Sequence, residues 1–181
     1  MGGFGLELAY WTVLRGAKKL ILTSRTGIKN AYQKLYLKRF KEFGKLIEDY
    51  KIDLTVSTHN LTSMDGAHQL IDEANAKGPV GGVFNLALVL KDAFIENQTP
   101  ETFKECCEPK LEGLSNLDKV TRQKCPQLEY FAAFSSLTAG RGNAGQTNYG
   151  YANSGMERIC ELRRADGLNL SFVCNLCLTF I

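Results

Sequence analysis

The stretch "LEYFAAFSSLTAGRGNAGQTNYGYANSG", residues 128 to 155, decides how the rest of the chain is read. An apolar run, Phe131 to Phe134, leads to Ser135-Ser136, and the first nine residues together read as a strand. A glycine-rich loop follows, and the segment 147–165 reads as a helix. On that helix Tyr149 and Asn153 stand four apart, so they share a face. A serine at a strand end and a phenol on the next helix can meet over one small group. That geometry suits a carbonyl oxygen in need of a hydrogen bond and a proton. A plain loop with a helix N-cap remains the alternative on this stretch alone.

Working outward, short apolar strands alternate with amphipathic helices. Strands are expected at 18–25, 53–58 and in "GGVFNLALV", with a last one in "LNLSFVCNLCLTFI". Between them Tyr32, Leu35, Tyr36, Phe40, Phe43, Leu46, Ile47 and Tyr50 recur at helical spacing, which predicts a helix over 29–50 with a solvated basic back. Further helices are expected from Met64 to Ala76 and over 100–122, the latter opened by Thr99-Pro100 and the first-turn acid Glu101. Near-continuous apolar strands alternating with helices imply an α/β fold of the doubly wound, Rossmann type, its parallel sheet covered on both faces. "GGFGLELAYWTVLRGA" at the N-terminus reads as a glycine turn running into a helix, and in such folds that turn follows a strand.

Composition narrows the classes. The chain has 181 residues, enough for one domain, with 44% hydrophobic and 23% charged residues, as in soluble globular proteins. No apolar run approaches the roughly 20 residues of a membrane helix, and no signal peptide is recognisable, so a cytoplasmic protein without membrane contact is expected. The net charge of +3 is concentrated in residues 29–51, where seven Lys/Arg face three acids. No aromatic platform accompanies them, so a nucleic-acid footprint is not indicated. The basic face is read as solvated surface, with the docking of an acidic carrier protein as a second possibility. The six cysteines show no framework spacing; the Cys174–Cys177 pair lacks a partner pair or clustered histidines, and no metal site is expected.

Candidate ligand positions fall at strand ends, where open α/β sheets bind. Gly2, Gly3 and Gly5 would let a phosphate approach a helix N-terminus, although a tight turn would explain them as well. At the end of the next strand, Thr23-Ser24-Arg25 offers a hydroxyl and a cation where a ribose-binding acid would otherwise stand, which favours NADP(H) over NAD(H). Asn60-Leu61 stands where an adenine could rest, and Asn85-Leu86-Ala87 where a nicotinamide ribose would lie.

"EPKLEG" at 108–113, with "FSS" and "RGNAGQTNYGYAN" after it, resembles the ketoreductase domain of animal-type fatty acid synthases, kin of polyketide synthase ketoreductases within the short-chain dehydrogenase/reductase superfamily. "NQTPE", "VGGVFNLA" and "RGNAGQTNYGYANSGMERICE" carry the same likeness, which runs from Gly2 to about Val173. Free-standing members of that superfamily usually carry Tyr-x3-Lys; here Tyr149-x3-Asn153 stands with Lys110 upstream, the exchange found in synthase-embedded reductases.

The resemblance implies reduction of a β-ketoacyl thioester on acyl carrier protein with NADPH. Tyr149 would be the general acid, and Ser136 would hydrogen-bond the substrate oxygen, Ser135 being the structural member of the pair. Lys110 would contact the nicotinamide ribose and make the phenol a readier acid, and Asn153 would support the proton relay. Tyr149 and Lys110 therefore count among the cofactor contacts too. The other fatty acid synthase domains would be partners. Against the family pattern, the ketoreductase domain spans 1–173, lacks the first strand and the C-terminal lid, and ends in a divergent tail, 174–181. In a strand order of 3-2-1-4-5-6 the absent strand is central, so the strands at 18–25 and 80–88 must pair directly or leave backbone groups unpaired. Feeble activity of the chain alone, or none, is expected on that ground. The rival reading is an inert remnant that keeps the catalytic residues and serves as an interaction or structural piece; a third, a polyketide synthase ketoreductase, differs in substrate rather than chemistry.

Overall fold

The computed structural model describes residues 2–46, 51–168 and 171–175. It divides into two compact units, Met1–Asn60 and Leu61–Ile181.

In the first unit, helix α1 (Gly3–Leu14) precedes strand β1 (Lys19–Thr23), helix α2 (Ala31–Leu46) and strand β2 (Asp53–Ser57). The two strands pair in parallel, Lys19 opposite Asp53 and Thr23 opposite Ser57. The Ser24 N–H extends the ladder onto the Ser57 carbonyl at 2.9 Å. Leu6, Ala9 and Val13 of α1 are buried with Tyr36 and Phe40 of α2, and Leu20, Leu22 and Leu54 pack against them. Helix α2 starts where two side chains satisfy its orphan N–H groups: Asn30 Oδ1 accepts from the Gln33 N–H at 2.8 Å, while Gln33 Oε1 accepts from the Lys29 N–H at 2.7 Å. This reciprocal cap fixes the rotation of the helix and corrects the expected apolar face. Gln33, Tyr36 and Phe40 point inward, whereas Tyr32 and Leu35 are exposed. Phe43, Leu46, Ile47 and Tyr50 fall outside the described side chains or residues.

In the second unit, helix α3 (Met64–Lys77) leads to strand β3 (Gly82–Asn85), then a single 3-10 turn (Ile95–Asn97) and helix α4 (Pro100–Cys107). A π-helical turn (Glu108–Glu112) joins α4 to helix α5 (Gly113–Lys124). Strand β4 (Tyr130–Ser135), the short helix α6 (Thr138–Arg141), helix α7 (Thr147–Ala165) and strand β5 (Ser171–Asn175) complete the order. The sheet runs β3-β4-β5, all parallel, and the central β4 buries Phe131, Ala132 and Ala133 in succession. Such a run is expected of a strand covered on both faces.

The α/β, parallel-strand expectation holds, and the strand neighbours are those of the expected order. The strands at 18–25 and 80–88 do not pair directly: β1 and β3 belong to different sheets. Two elements depart from the sequence reading. The strand in "GGVFNLALV" stops at Asn85, because the Asn85 side chain accepts the Ala87 N–H at 3.1 Å and turns the chain. The helix expected over 100–122 contains the π turn at Pro109, a residue that has no N–H to donate and crowds the carbonyl four residues back. At the C-terminal end, β5 includes Cys174 and Asn175, which lie opposite Phe134 and Ser135, so the first two residues of the expected tail are strand. Residues 176–181 lie outside the described residues.

Candidate active site

Lys110 stands on the π turn, in the part of the 100–124 helical stretch where the backbone leaves α geometry. Only 2% exposed, it sends its ammonium to the end of β4, where Nζ donates to the Phe134 carbonyl at 3.1 Å. The same nitrogen lies 5.2 Å from the centre of the Tyr149 ring. Burial pushes the Lys110 pKa down from 10.5 to about 8, with the Cys106 thiol acting weakly the other way. One hydrogen bond engages one of its three protons.

Tyr149 lies in the first turn of α7, and its N–H is taken by the Asn148 side-chain oxygen at 2.7 Å. One turn further, Asn153 is fully buried; its Nδ2 donates to the Tyr149 carbonyl at 2.9 Å, and its Oδ1 has no partner among the described residues. An acceptor buried without a donor is costly, and native structures keep such groups mostly where a ligand, water or mechanism uses them.

The two serines at the end of β4 have different surroundings. Ser135 is buried and pairs with the Glu157 carboxylate of α7, whereas Ser136 is half-buried. The Ser136 oxygen accepts the Thr138 N–H at 3.3 Å, which leaves its own proton free to donate elsewhere. The loop from α6 to α7 turns at Gly142, with φ 72° and ψ 166°, a backbone region open essentially to glycine alone. A Cβ at Gly150 would stand 2.9 Å from the Thr138 carbonyl oxygen, so α7 approaches α6 as closely as a missing side chain allows.

The second unit thus brings Lys110, Tyr149 and Asn153 into one neighbourhood, and sets Ser136 at the β4 terminus where the Lys110 hydrogen bond ends. Asn85 and Ala87 lie at the end of β3, Asn85 buried and donating weakly to the Met156 sulfur at 3.7 Å. The Leu61 carbonyl accepts from Asn116 at 3.0 Å. In the first unit Gly2 caps α1 while Gly3 and Gly5 are helical, which corrects the expectation of a glycine turn: the chain is already in helix at Gly3. A Cβ at Gly2 or Gly5 would touch nothing within 4 Å, whereas one at Gly3 would stand 3.5 Å from the Tyr32 hydroxyl, so the space is open at Gly2 and Gly5 and occupied at Gly3. Ser24 is buried and donates to the Gly27 carbonyl at 2.9 Å, Arg25 is exposed with no ion-pair partner among the described residues, and Asn60 is exposed. Within the first unit, a helix N-terminus and an exposed guanidinium fit the phosphate groups of a nicotinamide cofactor in donor chemistry; within the second, the orphaned amide oxygen of Asn153 offers an acceptor.

Sequence reasoning missed three features. Asn148 is fully buried and Gln98 makes four hydrogen bonds; both sit inside motifs quoted above, "QTNY" and "NQTPE", but no role was read from them. The third is a buried ion pair, Arg163 to Asp118 at 2.6 Å, with the guanidinium 4.3 Å from the centre of the Phe131 ring. Forty-five residues separate its members, and nothing local signals the pairing.

Parallel strands that present a serine at one end and a tyrosine, lysine and asparagine beside it form the type of site found in short-chain dehydrogenases and reductases. The comparisons place the chain more narrowly: residues 1–179 match the model of the KR domain, and the chain belongs to that family of oxidoreductases. It is 33% identical over 168 residues to the hybrid PKS-NRPS synthetase pynA of Aspergillus niger, a match covering 93% of this chain and 4% of the relative. It is 34% identical over 170 residues to the highly reducing polyketide synthase ACTTS3 of Alternaria alternata, covering 94% of this chain and 6% of the relative. Among solved structures, a ketoreductase domain from the bacillaene assembly line superposes with a TM-score of 0.86 at 26% identity, covering 97% of this chain and 41% of that one. An N-terminal ketoreductase from the macrolactin assembly line gives 0.84 at 28% identity, covering 96% and 34%. The Rossmann-like fold is therefore shown, and the chain spans only a small part of the curated relatives it matches. No helix among the described residues is long and apolar enough to cross a membrane.

Proposed function

We propose that this chain reduces a β-ketoacyl thioester, carried on acyl carrier protein, to the β-hydroxyacyl thioester with NADPH. The observation that carries the reading is Lys110: an almost wholly buried ammonium, held at the end of β4 by the Phe134 carbonyl and lying against the Tyr149 ring. Burying a lysine is unfavourable unless its charge is used, and here it stands beside a phenol.

When bound, NADPH would supply a hydride for the β-carbon. Tyr149 gives its phenolic proton to the carbonyl oxygen, which stays on the β-carbon as a hydroxyl. Ser136 donates its free proton to the same oxygen and holds it in line, stabilising the charge that develops there. Lys110 favours release of the phenolic proton and has two further protons for a nicotinamide ribose. Asn153, through its unpartnered Oδ1, serves the path by which the phenol regains its proton. Gly2, Gly3 and Gly5 would hold the pyrophosphate at the α1 N-terminus, Ser24 and Arg25 the 2′-phosphate, Asn60 and Leu61 the adenine. Asn85 and Ala87 would hold the nicotinamide ribose, together with Lys110 and Tyr149.

"VGGVFNLA" and "RGNAGQTNYGYANSGMERICE" support fatty acid synthesis as the pathway, with the other synthase domains as partners and a cytoplasmic location. The names of the relatives support polyketide assembly, and the chemistry is common to both. The test is consumption of NADPH with acetoacetyl thioester by the wild-type protein and by Tyr149→Phe. Turnover yielding the β-hydroxy thioester, lowered about 10²–10⁴-fold by the substitution, is expected. Absence of turnover by the wild type in the complete synthase, or full activity of the variant, would overturn the reading.

A further inference from the structure

Two side-chain amides that the reaction does not use, Gln98 and Asn148, form a single bonded unit under the catalytic helix. Gln98 Nε2 donates to the Lys91 carbonyl at 2.9 Å and to the Ala93 carbonyl at 3.1 Å. Its Oε1 accepts from the Thr102 hydroxyl at 2.8 Å and from Asn148 Nδ2 at 3.2 Å. Both protons and both lone pairs of the amide are therefore engaged. Asn148 Nδ2 donates also to the Lys91 carbonyl at 2.9 Å, and its Oδ1 accepts the Tyr149 N–H at 2.7 Å. The backbone dictates how each amide is turned. Carbonyls only accept and an N–H only donates, so Gln98 must present nitrogen to Lys91 and Ala93, and Asn148 must present oxygen to Tyr149. Those two orientations leave an N–H facing an oxygen between the amides, which makes the pair self-consistent.

The same loop is tied to the residues before α7 by two independent bonds, the Ala93 N–H to the Gly145 carbonyl at 2.9 Å and Gln146 Nε2 to Asp92 Oδ2 at 2.9 Å. The Tyr149 N–H is one of the first-turn donors for which a helix offers no internal acceptor. Its partner is the far end of a chain that begins on the loop following β3.

We propose that Gln98 and Asn148 act as a positioning pair that holds the Tyr149 backbone in register with the 91–98 loop, so that the phenol and the loop move together or not at all. The functional half of this proposal rests on the reductase reading; the structural half does not.

The test uses amide hydrogen exchange and turnover on the same protein. In Gln98→Met, exchange at Tyr149 and at Ala93 should accelerate together, each about tenfold, the effect of losing a net hydrogen bond. Met156, deep in α7, should be unchanged. Accelerated exchange at Ala93 with an unaltered Tyr149 overturns the proposal whatever the activity. Where the wild type turns over, kcat per NADPH-binding site should fall about 10- to 100-fold with NADPH affinity nearly unchanged. The double variant Gln98→Met/Asn148→Ala should cost no more than the worse single one, because the pair acts as a unit. Additive losses, or kcat at the wild-type level, overturn it. A wild type without turnover sinks the reductase reading, and the exchange result still decides the tether. If Gln98→Met does not fold, Gln98→Glu keeps the oxygen that Asn148 reaches, replaces the donor to the Lys91 and Ala93 carbonyls with a carboxylate oxygen, and reads the same two amides.

Discussion

The Lys110 ammonium and the Phe134 carbonyl meet at 3.1 Å, joining the π turn to the last residues of β4. One bond thereby sets the height of the buried charge along the strand, two residues short of Ser136. The carbonyl is a neutral acceptor, so it orients the lysine without cancelling its charge. That is why burial dominates and the pKa falls to about 8.

The depressed lysine gives a stability signature. Between about 8 and 10.5 the unfolded chain holds a proton that folded Lys110 has lost, so its contribution raises stability as pH rises through that window. The full contribution is about 3 kcal/mol at most. The half-buried thiol of Cys107 and the buried thiol of Cys160, both pushed up to about 11 by desolvation, act with the opposite sign above pH 9. Denaturant unfolding of wild type and Lys110→Met, taken as the wild-type value minus the variant's, isolates the lysine: that difference should rise from pH 8 to 10.5. A pH-independent difference would mean the lysine keeps its usual pKa.

The neighbouring serines should fail differently. Ser136→Ala removes the proton offered to substrate and should lower kcat about 10²-fold, with NADPH affinity and unfolding midpoint unchanged. Ser135→Ala leaves Glu157 without its hydroxyl and should lower stability by about 1 kcal/mol while sparing most of kcat. Steady-state kinetics and thermal unfolding on the two variants separate these outcomes; a reversed pattern would exchange their roles.

Arg25→Ala should weaken NADPH about 10- to 150-fold and leave NADH little altered, since a charge-assisted phosphate contact contributes roughly 1.5–3 kcal/mol. Fluorescence titration with both cofactors reads the ratio. Equal losses for the two would remove Arg25 from the 2′-phosphate.

Asp118→Ala should destabilise strongly, by about 3–5 kcal/mol, because it strands the buried Arg163 guanidinium. Arg122, which also reaches Asp118 at 2.8 Å, retains Asp166 at 2.7 Å and is not stranded. Unfolding of Asp118→Ala beside Arg122→Ala should therefore show a large loss in the first and a small one in the second.

Much of this was legible in the sequence for a plain reason. Short apolar runs and the Thr99-Pro100 cap are local signals, and β4 and α7 formed where those signals placed them. The spacing of Ser136, Tyr149 and Asn153 was equally local. The π turn was hidden because the buried positions Cys106, Lys110, Leu114 and Leu117 keep ordinary helical spacing across it; only Pro109 hints at the change. The face of α2 was misjudged because aromatic Tyr32 outweighed polar Gln33, whose side chain turns out to be the cap. The Gln98–Asn148 pair and the Asp118–Arg163 pair escaped entirely, since each depends on residues that meet only once the chain has folded.

Gly142 adds a restriction on how this chain can drift. Most left-handed turns accept asparagine or aspartate in place of glycine, but with ψ at 166° the turn after α6 lies outside the region those residues visit. Arg141 and Asn143 beside it are exposed and carry no such demand. In a library of variants with all amino acids at these three positions, function should survive wide exchange at the outer two and tolerate one letter at the centre. Around Gly142 the loop that delivers Tyr149 thus has one immovable character between two replaceable ones, ahead of a second left-handed glycine at Gly145.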